Sequence, residues 1–201
     1  MNIPLLPLVL AVAVIEHIGS LRCEAQTWEL PIHLNDQNTA VTFVVDSTWH
    51  TIHGTTRDLS GTVSLTNPKE PLSIKVALEI PVKLFNTNNE SRDKKLRSIM
   101  SSERYPNVSF SSSRLSPSCS PDYIRSAGSC HGTLRGSLSI RDITKTIELP
   151  IEITLEDAQF VVRGGLPIQW GDFHVEDPSI LIAKLDPTVT ITYRTTIPTR
   201  Q

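Results

Sequence analysis

Apolar and polar residues alternate strictly over long parts of the chain. The longest run extends from Leu72 to Leu84, where Leu, Ile or Val occupies every second position and Ser, Lys, Ala, Glu and Pro stand between them. Successive side chains of a β-strand point to opposite faces, so this run predicts a strand with one apolar and one hydrated face. The alternation recurs in shorter runs, at residues 28–34, 41–45, 134–140, 147–155, 160–162 and 189–193.

Turn-forming residues separate these runs. They are Asn35-Asp36, Thr66-Asn67-Pro68, Glu156-Asp157, Gly164-Gly165 and Asp186-Pro187. Many short strands with regular turns and half-buried faces indicate an antiparallel sandwich or barrel. No break in composition within residues 26–201 indicates a second domain.

One segment departs from the alternation. Residues 91–100 are rich in charge, and Leu96, Ile99 and Met100 follow a helical spacing. This spacing predicts a short surface helix near residues 90–101, whose apolar side caps the sheet.

The first 25 residues have the pattern of an export signal. The apolar run Ile3–Ile15 is too short to span a membrane comfortably, and Cys23-Glu24-Ala25 offers a small-residue cleavage site. We therefore expect a signal peptide at residues 1–25, cleavage after Ala25, and a mature domain of residues 26–201 without a transmembrane segment in the periplasm or outside the cell. Lipidation at Cys23 is the alternative, although Arg22 is a poor neighbour for it.

Two cysteines, Cys119 and Cys130, remain in the expected mature chain. Turn residues flank both, and an oxidising compartment favours one disulfide between them. The alternative is two unpaired thiols in a loop.

Composition and motifs exclude several function classes. The chain of 201 residues has a formal charge of -2, so no basic field indicates nucleic acid as a partner. His50 and His53 would face opposite sides of a strand, which argues against a shared metal ion. No nucleophile elbow or phosphate-binding loop occurs, and we expect neither a cofactor nor an enzymatic activity. A catalytic triad built from distant residues stays open.

Three segments resemble the YceI-like family of lipid- or polyisoprenoid-binding proteins. The stretch Gly136–Lys145, continuing to Pro150, resembles the family's strand-turn-strand element. The stretch Arg104–Phe110 is similar to its Tyr-Pro-x-Ile-x-Phe motif, and it follows the charged helix at the expected distance. The opening at 38–61 looks like the family's first hairpin, and Gly171-Asp172-Phe173 like a late motif in altered order. Asp142 stands where the family usually has glycine.

The resemblance implies an all-β fold, a single antiparallel eight-stranded lipocalin-like β-barrel. It also implies a polyisoprenoid or fatty-acyl lipid as the partner, held in an apolar lumen. Our first hypothesis is therefore a carrier or scavenger of such a lipid, and a homodimer is one assembly open to it. Aromatic residues make up only 5% of the chain, which favours an open lumen. We expect eight apolar residues to line it: Val41, Phe43, Leu78, Ile80, Phe110, Leu134, Leu138 and Phe173.

Two other function classes remain open. The first is a structural or interaction protein of the cell envelope, whose lumen is filled by its own side chains. The second is a hydrolase or isomerase that uses the same cavity. A large apolar tunnel would favour lipid binding, and a densely filled lumen would favour the structural role.

Overall fold

The computed structural model of the protein describes residues 30–65, 74–116, 119–179 and 184–199. These residues form ten β-strands, two α-helices, α1 (Glu90–Ile99) and α2 (Pro121–Ala127), and two 3-10 helices, η1 (Val82–Leu84) and η2 (Trp170–Phe173). The strands are β1 (Ile32–Leu34), β2 (Thr39–Ser47), β3 (Thr51–Thr55), β4 (Ser60–Leu65), β5 (Ile74–Pro81), β6 (Asn107–Ser116), β7 (Ser129–Ile140), β8 (Ile143–Glu156), β9 (Gln159–Gln169) and β10 (Leu185–Pro198).

All ten strands belong to one antiparallel sheet in the order β1-β4-β5-β6-β7-β8-β9-β10-β2-β3. The sheet is strongly curled. Val76 of β5 and Ile191 of β10 line the same cavity, although five places separate their strands in the sheet. The alternating apolar residues thus lie on the inner face of the curl, as the two-residue period requires.

Turns hold the two edges of the curled sheet together. The edge strands β1 and β3 do not pair with each other within the described residues. Instead, the carboxylate of Asp36 accepts hydrogen bonds from the backbone N–H groups of Asp58 and Leu59, at 2.7 and 3.1 Å. Thr55 and Asn86 exchange two backbone hydrogen bonds of 2.8 and 3.0 Å beside β3. These contacts satisfy backbone groups that an open edge would leave exposed.

The all-β antiparallel class predicted from the sequence is confirmed, but the expected number of eight strands is wrong. The listed alternating runs miss β6 (Asn107–Ser116) and two glycine-containing strands. These two are β3 and β4, whose sequences are Thr-Ile-His-Gly-Thr and Ser-Gly-Thr-Val-Ser-Leu. Both strands place a glycine where a large neighbour needs the space. A Cβ atom at Gly61 would lie 3.2 Å from Cδ1 of Leu78 on the adjacent strand. Such strands carry too few apolar side chains to give a period-2 signal.

Three further sequence interpretations need correction. Asp186-Pro187, predicted as a turn, lies inside β10, where the pairing with β2 shifts register between Leu185 and Val189. Gly164-Gly165 is not a turn, because both residues lie inside β9 and pair with Tyr193 and Thr192 of β10. The strand predicted to reach Leu84 ends at Pro81, and the chain continues as η1 with Val82 buried. Leu72, Trp28 and the expected signal peptide with Cys23 and Ala25 lie outside the described residues.

The helix predicted near residues 90–101 is confirmed as α1. The side chain of Asn89 caps its first turn by accepting the backbone N–H of Arg92 at 3.0 Å. Asp93, which is buried, accepts hydrogen bonds from the N–H and hydroxyl of Thr87 at 2.9 and 2.5 Å. These bonds fix the helix against the segment that precedes it.

The second helix, α2, was not predicted, although local signals mark both of its ends. Ser120 caps the helix at 3.1 Å through the N–H of Tyr123, and Pro121 occupies the first turn. Gly128 ends it with φ 81°, in the left-handed region that favours glycine. A disulfide between Cys119 and Cys130 encloses α2, with a Cα–Cα distance of 5.8 Å.

Candidate functional site

The inner face of the curled sheet surrounds a cavity of about 770 Å³. This volume lies in the range of about 300–1,000 Å³ that is typical of ligand pockets. Along β5 the wall extends from Ile74 to Ile80, six residues apart, which corresponds to about 20 Å of strand. The wall is almost entirely apolar, because every strand presents Val, Ile, Leu or Phe to the interior. A space of this shape and polarity suits a hydrocarbon chain.

All eight residues expected from the sequence lie on the wall of this cavity. Val41 and Phe43 come from β2, Leu78 and Ile80 from β5, Phe110 from β6, Leu134 and Leu138 from β7, and Phe173 from η2. Six of the eight are buried, and Phe43 and Leu78 are half-buried. Their contact with a ligand stays a prediction.

Two aromatic side chains lie against the wall because the residue opposite each of them is glycine. Phe43 pairs with Gly54 across β2 and β3, and a Cβ atom at Gly54 would overlap the phenyl ring. Tyr193 pairs with Gly164 across β10 and β9, and a Cβ atom at Gly164 would lie 2.8 Å from Cζ of the phenol. The ring can therefore cover the neighbouring strand instead of standing in the lumen, which leaves the interior free.

Tyr193 also spans a gap in the sheet. β8 and β9 pair only between Glu152–Glu156 and Gln159–Arg163, and their remaining stretches form no ladder with each other. The unpaired stretches contain Pro150 and Pro167, which have no backbone N–H to donate. The hydroxyl of Tyr193 donates a hydrogen bond to the carbonyl oxygen of Pro150 and so joins β10 to β8 across β9. Burial raises the pKa of Tyr193, since the charged phenolate would lose solvation there.

Helix α1 forms part of the wall at one end of the cavity. Leu96, Ile99 and Met100 face the interior, and Arg92 and Lys95 border it. The sequence indicated an apolar helix face that caps the sheet, but the two cations were not singled out. Their spacing of three residues on a helix was the available signal, because residues i and i+3 share a face.

Another part of the cavity wall lies toward α2. Leu115, Ile153 and Ile197 line it there. Phe160 and Ile124 are fully buried beside them, and α2 contacts both β7 and β8. The disulfide joins this helical segment to the start of β7. The cavity therefore extends from α1 toward the buried residues that pack beside α2.

The described residues contain no group of three or more His, Cys, Asp or Glu side chains placed to hold a metal ion. His53 is exposed and alternates along β3 with the buried Ile52 and Gly54, while His50 is exposed in the preceding turn. Within the same residues, no helix has both the length and the apolar character needed to cross a membrane.

The sequence profile of the YceI-like domain matches residues 33–197. The chain belongs to this family. The sequence-based prediction of the family is thereby confirmed, and the matched segment contains all ten strands except the first residue of β1 and the last residue of β10.

Solved structures of low sequence identity share the fold. BcnA of Burkholderia cenocepacia is 20% identical, with a TM-score of 0.63 over 79% of this chain and 95% of its own. A polyisoprenoid-binding domain from Saccharophagus degradans is 15% identical, with a TM-score of 0.62 over 84% and 98%. The YceI protein of Campylobacter jejuni is 18% identical, with a TM-score of 0.56 over 74% and 84%. No curated protein matches the sequence.

Proposed function

We propose that the protein binds a lipid with a long hydrocarbon chain, of the polyisoprenoid or fatty-acyl class, inside the curled sheet. The observation that carries this proposal is the cavity of about 770 Å³ with its apolar wall. The description of the Saccharophagus degradans domain as polyisoprenoid-binding supports the same ligand class. In this proposal the edge contacts complete a lipocalin-like barrel, and the lumen shields the lipid chain from water.

Apolar burial alone is sufficient to hold a long chain. Each buried methylene group contributes about 0.8 kcal/mol, so ten of them contribute about 8 kcal/mol. Association costs about 4–15 kcal/mol in lost freedom of motion. Chains of about ten carbons therefore roughly balance this cost, and tight binding requires longer chains. This arithmetic favours polyprenyl or long fatty-acyl ligands over small apolar molecules.

The structural role with a filled lumen receives less support from the molecule. A lumen packed by its own side chains would have the density of a protein core, with few voids larger than a water molecule. The glycines opposite Phe43 and Tyr193 have the reverse effect, because they let large rings leave the interior free. We therefore propose a binding protein rather than a structural or enzymatic one.

We further propose that the protein works outside the cytoplasm, as a carrier or scavenger. The pattern of residues 1–25 is typical of an export signal. The disulfide between Cys119 and Cys130 supports an oxidising compartment, since such bonds are rare in the cytosol.

The experiment that tests the proposal is the analysis of lipids that copurify with the protein. The chain is expressed with its native N-terminus, purified from the cell envelope without detergent, and extracted with organic solvent for mass spectrometry. We expect a polyprenyl or long acyl compound in near-stoichiometric amount. An extract without lipid, together with no binding of added polyprenyl or acyl chains by the delipidated protein, would contradict the proposal.

A further inference from the structure

The charges that border the cavity are all of one sign. Among the described residues on its wall, the only charged ones are Arg92 and Lys95, and both are cationic. They lie three residues apart on α1 and therefore on the same side of that helix. Next to them the wall also contains the hydroxyl side chains of Thr87 and Ser91. Both cations of the wall thus lie on α1, while Leu96, Ile99 and Met100 continue the apolar wall. Uncharged hydroxyl side chains also occur elsewhere on the wall, at Thr39, Thr42, Thr56, Tyr193 and Thr195.

The guanidinium of Arg92 is held in a fixed position. Its Nε donates to the hydroxyl of Thr87 at 2.8 Å, and its Nη2 donates to the carbonyl oxygen of the same residue at 2.7 Å. The hydroxyl of Thr87 in turn donates a hydrogen bond to the carboxylate of Asp93. Asp93 is buried and is not part of the cavity wall. Asp93 forms no ion pair with Arg92 among the described residues, and its Oδ1 accepts both hydrogen bonds that Thr87 donates.

Lys95 has no such partner. No acidic group of the described residues forms an ion pair with it, and its side chain is exposed while still bordering the cavity. The cavity wall thus includes one cationic side chain that reaches solvent and has no acidic partner among the described residues. An exposed Lys can also extend its amine into water while its apolar stem covers the protein surface. A comparison of charged and uncharged ligands distinguishes that role from contact with a ligand.

We propose that this rim, formed by Lys95 and Arg92 with the hydroxyl of Ser91, selects lipids with an anionic headgroup. The chemistry it fits is a phosphate or carboxylate at the end of a long chain, with the charged oxygens at the rim and the hydrocarbon below Leu96. Such oxygens form charge-assisted hydrogen bonds with Lys and Arg. This inference rests on the proposed lipid-binding function and adds the headgroup class to it.

The experiment compares matched pairs of probes on delipidated protein by isothermal titration calorimetry. Farnesyl phosphate is compared with farnesol, and palmitate with hexadecanol, so that each pair differs only in headgroup. We expect both anions to bind more tightly than the alcohols, with an advantage that shrinks at high salt because screening weakens the attraction. The two pairs also distinguish phosphate from carboxylate as the preferred headgroup.

Substitutions in α1 test whether Lys95 causes the difference in affinity between anions and alcohols. Lys95→Gln is expected to weaken both anions roughly fivefold and leave the alcohols unchanged. Lys95→Arg should retain the selectivity, and Lys94→Gln is the matched control, because Lys94 is exposed on α1 but does not border the cavity.

Three outcomes overturn the inference. Equal binding of anions and alcohols would overturn the headgroup selection while leaving lipid binding intact. An equal effect of Lys94→Gln and Lys95→Gln would show that only the general charge of the helix matters. If none of the four probes binds, the proposed function itself fails together with the headgroup selection.

Discussion

The phenyl ring of Phe43 occupies the space that a side chain at Gly54 would need. The two residues pair directly across β2 and β3, and the ring centroid of Phe43 lies 5.5 Å from that of Phe85 on the other side. Because Gly54 has no Cβ, the ring can cover the adjacent strand, while both Phe residues still contribute to the cavity wall. The volume of the lumen thus depends on a residue that has no side chain.

Replacing this glycine is expected to affect both stability and lipid capacity. Gly54→Ala would force the ring of Phe43 toward the lumen, at a cost of about 1–3 kcal/mol for overpacking. Chemical denaturation and titration with a long-chain lipid measure the two effects. The control is Gly171→Ala, because a Cβ atom there would meet no atom within 4 Å. Equal behaviour of the two variants would show that the Phe43–Gly54 contact does not shape the cavity.

Removing the hydrogen bond that Tyr193 forms across the gap between β8 and β9 is expected to lower the free energy of unfolding. Tyr193→Phe keeps the ring over Gly164 but leaves the carbonyl of Pro150 without this donor. We expect the free energy of unfolding to fall by about 1 kcal/mol at neutral pH, because this is the usual net contribution of one hydrogen bond. Urea denaturation of the two proteins provides the comparison. Unchanged stability would indicate that water replaces the phenol at Pro150.

The contribution of Tyr193 to the free energy of unfolding is also expected to depend on pH in the alkaline range. Burial raises the pKa of Tyr193 above its ordinary value of 10.0, so the unfolded chain releases the phenolic proton at a lower pH than the folded chain. The stabilisation is complete below pH 10 and is lost as the pH rises toward the folded-state pKa. The advantage of the wild-type protein over Tyr193→Phe should therefore shrink above pH 10 in urea denaturation series. An advantage that stays constant or grows there would contradict this assignment.

The disulfide is expected to stabilise the folded protein at the segment that contains α2. It joins residues that are 11 positions apart, and the chain-entropy model gives roughly 3 kcal/mol for a loop of this size. Replacing both Cys119 and Cys130 by Ser should lower the melting temperature by roughly 6–12 °C. Reduction of the wild-type protein should have the same effect, and reduction should not change the double variant. A double variant as stable as the oxidised protein would contradict a structural role of the bond.

The sequence predicts those parts of the fold that carry a periodic signal. The alternation of Leu78 and Ile80 in β5, or of Leu134 and Leu138 in β7, places all four on the inner face without knowledge of the structure. The strands β3 and β4 escaped detection because their glycines replace the inward apolar residues. Sequence patterns indicate which side chains face inward, but they do not indicate where a neighbouring ring needs an empty position.

Gly164 shows that a sequence pattern can also predict a turn where the chain forms a strand. Paired glycines are typical of turns, yet Gly164 lies in the middle of a strand because the ring of Tyr193, distant in sequence, covers it. The cationic rim was also not predicted, since Arg92 and Lys95 belong to a helix rich in exposed charges. Only the three-dimensional position of α1 at the cavity distinguishes Lys95 from its neighbour Lys94.

The turn between β7 and β8 explains why Asp142 is acceptable in place of the family's usual glycine. Ile140 and Ile143 pair directly, so Arg141 and Asp142 form a two-residue turn. Only Arg141 has a positive φ, of 55°, whereas a type I′ turn requires positive φ at both central residues. The backbone conformation at position 142 therefore does not require glycine, and the hairpin has a turn of a type other than I′.

The most direct test of the central claim fills the lumen from one position of β8. Leu149 borders the cavity and is half-buried, whereas the adjacent Glu148 is exposed on the outer face. Leu149→Trp and Glu148→Trp thus place the same side chain inside and outside, and thermal denaturation checks that both variants fold. In titrations with a long-chain lipid, we expect Leu149→Trp to reduce affinity at least tenfold and Glu148→Trp to bind like the wild type. Equal lipid binding by the two folded variants would contradict the claim that the chain is held inside the curled sheet.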